Sequence, residues 1–187
     1  MADFHQFCNQ FSPLETEAAD ELFEKVTTRK IKKGALLLKP GQVCTHLFFI
    51  QEGFAKMCYI KNDKEFIMRF FSENRIFSAF ESYLTQTPSK YMIVALEDTT
   101  VKLINQAEME KLCNKYHCME TFLRKLVSIA AVKMTKRISE MLEEEATESY
   151  NRFVVENNSI IQRISLGDIA KYLGITQQSL SRIRATK

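Results

Sequence analysis

The residue types best suited to recognising another molecule cluster near the C-terminus, in Arg163-Ile164-Ser165-Leu166-Gly167-Asp168-Ile169-Ala170-Lys171-Tyr172-Leu173-Gly174-Ile175-Thr176-Gln177-Gln178-Ser179-Leu180-Ser181-Arg182-Ile183-Arg184. Two helices are legible in this string. Ser165 can cap the first, with Asp168 at its third position in a capping-box arrangement. Leu166, Ile169, Ala170 and Leu173 fall on its inner face. Gly174 can take the left-handed conformation that ends a helix. Thr176 can then cap a second helix, whose Leu180 and Ile183 point back at the first. That leaves Gln177, Gln178, Ser181 and Arg182 on the outer stripe of the second helix. Gln can pair in bidentate fashion with adenine and Arg with guanine, so these types can read base edges in a major groove. They stand in the first two turns, where a recognition helix meets DNA. Gln177, Gln178 and Arg182 are therefore the expected base readers. Ser165, Thr176, Ser179, Ser181 and Arg184 are expected to hold the DNA backbone, which positions the protein without reading sequence.

The charge distribution agrees with this placement. Residues 147–187 hold six Lys/Arg (Arg152, Arg163, Lys171, Arg182, Arg184, Lys187) and three Asp/Glu (Glu148, Glu156, Asp168). Their excess of +3 equals the net charge of the whole chain, so the first 146 residues balance. A mildly basic C-terminal segment suits a polyanionic partner.

Other chemistry finds little support. No Gly-x-Ser-x-Gly, His-Glu-x-x-His or P-loop string occurs, and His5, His46 and His117 are scattered, so no enzyme is expected. Cys8, Cys44, Cys58, Cys113 and Cys118 form no Cys-x-x-Cys pair, which reads as reduced, mostly buried thiols. Cys113 and His117, four apart, would share a helix face, but two ligands do not make a metal site. No apolar run reaches about 18 residues, and the N-terminus lacks a secretory layout, so a cytoplasmic protein without a membrane span is expected.

The elements that would position the C-terminal helices are equally legible. Residues 3–28 read as helical, with Leu14, Ala18, Ala19, Leu22, Phe23 and Val26 at helical spacing and a helix start near Ser12-Pro13. Residues 29–105 read as short strands: 36–38, 47–50, 55–60, 65–71, 91–96 and 100–104, separated by turn residues such as Lys33-Gly34, Pro40-Gly41 and Lys61-Asn62-Asp63. This pattern suggests a sandwich or barrel, interrupted by one helical insertion at about 79–84. Helix returns from Gln106, with a long stretch from roughly Cys118 to Ala146 free of Gly and Pro. Val127, Ala131, Met134, Ile138 and Met141, spaced 4-3-4-3, form a heptad seam that can meet a partner helix. Leu123, Leu126, Ile129 and Ala130 make a second apolar surface. An acidic patch at 143–148 sets the boundary near residue 147. Arg152-Phe153-Val154-Val155 reads either as a remnant of sheet or as helix.

Across nearly its whole length the chain resembles the CRP/FNR family (cAMP receptor protein and fumarate–nitrate regulator) of transcription factors. The string Ile169-Ala170-x-x-Leu173-Gly174-x-Thr176-x-x-Ser179-Leu180-Ser181-Arg182-Ile183 is similar to the family's DNA-binding signature, and Gln177, Gln178 and Arg182 fall on its base-reading positions. Gly34, Gly41 and Gly53, with the apolar run 47–50, resemble its β-roll. The resemblance implies an α+β fold: an N-terminal β-roll of the jelly-roll, cyclic-nucleotide-binding type (1–117), a dimerisation helix (118–146) and a helix-turn-helix domain (147–187). It implies a homodimer on double-stranded DNA, with RNA polymerase as a further partner.

Two departures qualify the resemblance. Members that bind cAMP carry a Gly-Glu at a short helix followed by Arg-Ser/Thr-Ala. The matching residues 77–91 contain no Gly, and Ser89-Lys90 stand near the arginine's place. Glycine lets backbone amides approach a phosphate and Arg clamps it with two hydrogen bonds, whereas Lys supplies a point charge. This argues against cAMP and for a different small effector, or none, in a pocket expected from Phe77, Ala79, Glu81, Ser82, Ser89 and Lys90. Also, the sequence stops five residues after Arg182, and a hairpin needs roughly 10 residues. A wing after the recognition helix is thus expected to be short or absent. The alternative to a DNA reader is a ligand- or partner-binding module whose C-terminal helices serve assembly.

Overall fold

The structure, a computed structural model, describes residues 4–185. Two short helices open the chain, α1 (Phe4–Phe11) and α2 (Thr16–Lys25). The expected helical stretch over 3–28 is therefore broken. Pro13 has no N–H for a helical ladder and disfavours helix at Ser12, so α1 stops before it. The second helix starts after Glu15, not at Ser12.

Eight strands follow: β1 (Thr27–Ile31), β2 (Leu36–Leu38), β3 (His46–Glu52), β4 (Ala55–Lys61), β5 (Lys64–Phe71), β6 (Arg75–Phe77), β7 (Met92–Ala95) and β8 (Thr99–Asn105), with α3 (Phe80–Thr85) between β6 and β7. They form two four-stranded sheets of order β1-β8-β3-β6 and β2-β7-β4-β5, antiparallel throughout. This is the β-roll expected from the sequence, with β1 and β6 added. The β4–β5 hairpin turns at Asn62 and Asp63, both at positive φ (50° and 59°), as a two-residue turn between right-twisted strands requires. Gly53, after β3, has φ +107°, and a β-carbon there would lie 2.5 Å from Thr99 Oγ1. No other residue fits that corner without displacing Thr99.

One apolar core fills the space between the sheets. Phe49, Ile50, Ala55, Ile93 and Val101 are among its buried residues. Phe4, Cys8, Ala18 and Leu22 from α1 and α2 extend it, as do Met109 and Leu112 from α4 (Gln106–Lys115). It continues through Met119, Phe122 and Leu126 into the first turns of α5 (His117–Glu143). At 27 residues, α5 is about 40 Å long. Then come α6 (Ala146–Glu156), a 3₁₀ turn (Ile161–Arg163), α7 (Leu166–Leu173) and α8 (Gln177–Ala185). The strand-like residues 152–155 lie inside α6, so the helical alternative holds. Cys113 and His117 do not share a helix face, because the chain leaves helical geometry at Tyr116 (ψ 119°) between α4 and α5.

Candidate nucleic-acid interface and effector cavity

The C-terminal helices form the helix pair read from the sequence. Ser165 Oγ accepts a hydrogen bond from the Asp168 backbone N–H at 3.0 Å, capping α7. Gly174 ends the helix at φ 73°. Thr176 Oγ1 accepts from the Ser179 N–H at 3.1 Å and caps α8. Leu180 is fully buried beneath α8, in a cluster with Ile164, Ile169 and Ala170. Gln177, Gln178, Ser181, Arg182 and Arg184 are exposed on α8. The expected capping box is only half formed. The Asp168 carboxylate does not return to Ser165 but accepts from Lys56 Nζ, 112 residues away, at 2.9 Å. Of the expected phosphate contacts, Ser165, Thr176 and Ser179 spend a hydroxyl on capping or on each other. A hydroxyl has both donor and acceptor capacity, so this leaves part of it available.

The helix pair rests on the β-roll. Phe54, fully buried at the corner before β4, belongs to the small C-terminal cluster, flanked by Phe70 and Leu96. Its ring stacks on Phe70 at 5.7 Å and lies 5.0 Å from the Arg163 guanidinium. Tyr172 of α7 packs against Phe70 (5.7 Å) and Phe153 (4.8 Å).

Ion pairs surround this contact. Lys56, on β4, bridges Glu65 (2.8 Å) and Asp168 (2.9 Å) with only 10% of its side chain exposed. Lys171 Nζ lies 2.6 Å from Glu65, and Arg163 pairs with Glu73 (2.9 Å) and Glu97. Burial alone would raise the Glu65 pKa, but hydrogen bonds from Lys171, Lys56 and Cys58 outweigh it and hold the carboxyl at about 2. Burial opposes the charge on Lys56, yet its two carboxylates keep its pKa above the usual lysine value. The Cys58 thiol beside them is pushed up to about 12, first by burial and then by Glu65, so it is not a ready nucleophile. The C-terminal basic excess is thus largely spent inside the molecule. Arg152 pairs with Glu140 and Glu144, Arg163 with Glu73 and Glu97, and Lys171 with Glu65. Arg182 and Arg184 stay exposed on α8, while Lys187 lies outside the described residues.

The long helix buries Met119, Phe122, Leu126 and Glu140 against its own chain. Val127 of the expected seam is half-buried; Ala131, Met134, Ile138 and Met141 are exposed. Val132 and Leu142 are exposed as well, making the apolar stripe broader than the five residues read from the sequence.

A cavity of about 620 Å³ lies between the β5–β6 side of the roll, α3, the middle of α5 and the C-terminal helices. Of the six residues named from the sequence, Phe77, Ala79 and Glu81 line it. Ser82, Ser89 and Lys90 do not. Ser82 Oγ is buried, accepting from the Cys44 N–H at 2.8 Å and donating to the Thr87 carbonyl at 2.5 Å. Ser89 Oγ is held by the Tyr91 backbone, and Lys90 is exposed over the Tyr91 ring. With its hydroxyls committed and no arginine or glycine in place, this segment does not fit a cyclic phosphate. The cavity's cations come instead from residues the sequence reading passed over: Arg69 on β5, Arg75 on β6, and Lys133, Lys136 and Arg137 on α5. Their separation along the chain hid them. Among the described residues, no group of three or more His, Cys, Asp or Glu is arranged to hold a metal ion.

Comparison with known proteins agrees with this geometry. Residues 28–116 match the cyclic nucleotide-binding domain family. The chain is similar to the structure of a crp/fnr-family transcriptional regulator from Eubacterium rectale, with TM-score 0.75 and 16% identity over 95% of this chain and 87% of that one. FixK2 from Bradyrhizobium japonicum is similar at TM-score 0.74 and 18% identity, over 86% of this chain and 83% of that one. The catabolite activator protein of Thermus thermophilus gives TM-score 0.61 and 17% identity, over 94% and 84%. No curated protein sequence matches significantly.

Proposed function

We propose, for a chain that joins a cyclic nucleotide-binding domain to helices in the CRP/FNR fold, that it is a homodimeric, sequence-specific transcription regulator that reads double-stranded DNA through α8. The observation that carries this reading is the exposed stripe of Gln177, Gln178, Ser181 and Arg182 on a helix capped at Thr176 and anchored by Leu180. Gln177, Gln178 and Arg182 read bases. Ser165, Thr176, Ser179, Ser181 and Arg184 hold phosphates.

The working units are a sensor (1–117), a dimerisation helix (118–146) and a DNA-binding domain (147–187). The exposed stripe Ala131, Met134, Ile138 and Met141, with half-buried Val127, meets the same stripe of a second copy. Pairing there brings two α8 helices to successive major grooves, about 34–36 Å apart, on a near-palindromic site. Such a regulator is no enzyme, works in the cytoplasm and acts on RNA polymerase. No helix among the described residues is long and apolar enough to cross a membrane. A small effector other than cAMP occupies the 620 Å³ cavity, a size suited to such ligands.

A second reading, a partner-binding module that does not touch DNA, is favoured by one observation. Arg152, Arg163 and Lys171 are spent on carboxylates of the same chain, which weakens the electrostatic attraction to DNA. Selection from a random double-stranded library at moderate salt, with and without cAMP, separates the two. The regulator reading expects a two-fold symmetric motif in both selections. If neither enriches a motif, the partner-binding reading takes its place.

A further inference from the structure

The cavity carries one feature that the cyclic nucleotide cassette does not explain. Arg69 near the end of β5, Arg75 at the start of β6 and Lys133 of α5 all line it, although β5 and β6 belong to different sheets, and they stand close enough for their charges to act on one another. Among the described residues, none of the three forms an ion pair with a carboxylate. Of the acids that line the cavity, Glu140 has its Oε2 2.7 Å from Arg152, Glu156 is taken by Lys136, and Glu81, on α3, forms no ion pair with any of the three. Like charges in a shared recess oppose one another. Burial holds Arg69 below its ordinary pKa; Tyr172 opposes this, while the charges of Arg137 and Arg75 add to it and Glu140 opposes it least. Enclosure, then Arg75 and Arg69, lower Lys133. A protein that gathers uncompensated cations beside apolar walls loses stability unless something neutralises them. The same recess is lined by Met57, Met68, Phe80 and Tyr91, so its occupant needs an apolar body as well as charge.

We propose that this cavity binds a small organic anion, its charged group held by Arg69, Arg75 and Lys133 and its aromatic or aliphatic body laid on Met57, Met68 and Tyr91. The proposal rests on reading the cavity as the effector site. It moves the anion-binding residues from the α3–Ser89–Lys90 segment to β5, β6 and α5. Arg137, which lines the same cavity, donates to the Tyr172 carbonyl of α7 at 2.6 Å and lies 4.1 Å from that ring. An anion that draws Arg137 into the cavity therefore acts on the DNA-reading helix pair directly.

The test uses the full-length protein and two probes of one shape. One is the anion 1-anilinonaphthalene-8-sulfonate, the other its uncharged parent N-phenyl-1-naphthylamine, both followed by fluorescence titration. The anion is expected to bind more tightly than the neutral probe. The double variant Arg69→Gln/Lys133→Gln should weaken the anion at least about 10-fold, as expected for losing charged hydrogen-bond donors, and leave the neutral probe unchanged. Arg75→Gln, at an exposed position that leaves the core intact, should weaken the anion alone by a smaller factor. Circular dichroism melting checks that each variant is folded. Equal binding of both probes, insensitive to the variants, overturns the proposed ligand class while leaving an effector cavity in place. Binding of neither probe overturns both.

Discussion

The β-roll and the C-terminal helix pair are held by different forces. Between the two sheets the roll has an apolar core of wholly buried strand residues such as Ile50, Ala55, Ile93 and Val101. Such burial is non-directional and, unlike an ion pair, is not weakened by ionic screening. The helix pair has only six buried residues in its cluster, and one of them, Phe54, belongs to the roll. Partly buried Phe70, Leu96 and Tyr172 pack around it, and an ionic ring of Lys56, Glu65, Asp168, Lys171, Arg163, Glu73 and Glu97 completes its seat. A helix pair held this way can be loosened by small changes in charge or bound ions without melting the roll it leans on. Lower local stability of this kind accompanies movable elements.

Four measurements can break or sharpen this contrast. The largest effect is expected from Phe54→Ala, which empties the joint between the two regions. Loss of a fully buried Phe costs about 3–5 kcal/mol. Hydrogen exchange of α7 and α8 should accelerate while β3 and β8 stay protected. Equal loss of protection everywhere would mean that the two regions form one cooperative unit. Lys56→Met comes next. Removing the ammonium leaves Glu65 and Asp168 without their shared buried partner, at about 3 kcal/mol, and should again show first in α7. No change in α7 exchange would remove the ion cluster from the account.

Acid should act at the same place. The Glu65 carboxyl is held at about 2, below its ordinary 4.5. Its contribution is therefore complete above pH 4.5 and is lost as pH falls towards 2. Amide chemical shifts of α7 should move in that window before those of β3. Simultaneous movement, or movement of α7 only above pH 4.5, would contradict the assignment. The smallest effect is Ser165→Ala, which removes the α7 cap for about 1 kcal/mol. A melting temperature identical to that of the unsubstituted chain would show that the cap is dispensable.

Much of the fold was legible in the sequence because its elements carry their own signals. The apolar strands β3, β4, β5 and β8 stand out, as does α5, which has no Gly or Pro. The α7–α8 turn was legible at its Ser165, Gly174 and Thr176 punctuation. The missed strands lacked such signals: β1 (Thr-Thr-Arg-Lys-Ile) is polar and almost wholly exposed, and β6 is three residues long. The candidate site divides in the same way. The exposed stripe of α8 is a local pattern, readable at helical spacing. The Lys56–Asp168 contact and the Arg69–Arg75–Lys133 cluster join residues far apart in the chain, and only the folded roll brings them together. Asp168 illustrates the limit well. Its position suggested a capping box, but a buried lysine on β4 offers its carboxylate a stronger, charge-assisted partner.

The central claim is that α8 reads bases, and Arg182 tests it most directly. Once selection has supplied an operator, its affinity for the full-length protein should be compared with that of Arg182→Ala, on the operator and on scrambled DNA at one salt concentration. The account predicts a loss of about 1–3 kcal/mol on the operator, relaxed preference at one base pair, and a far smaller change on scrambled DNA. Equal losses on both DNAs would demote Arg182 to a phosphate contact. Unchanged affinity on both would contradict the claim.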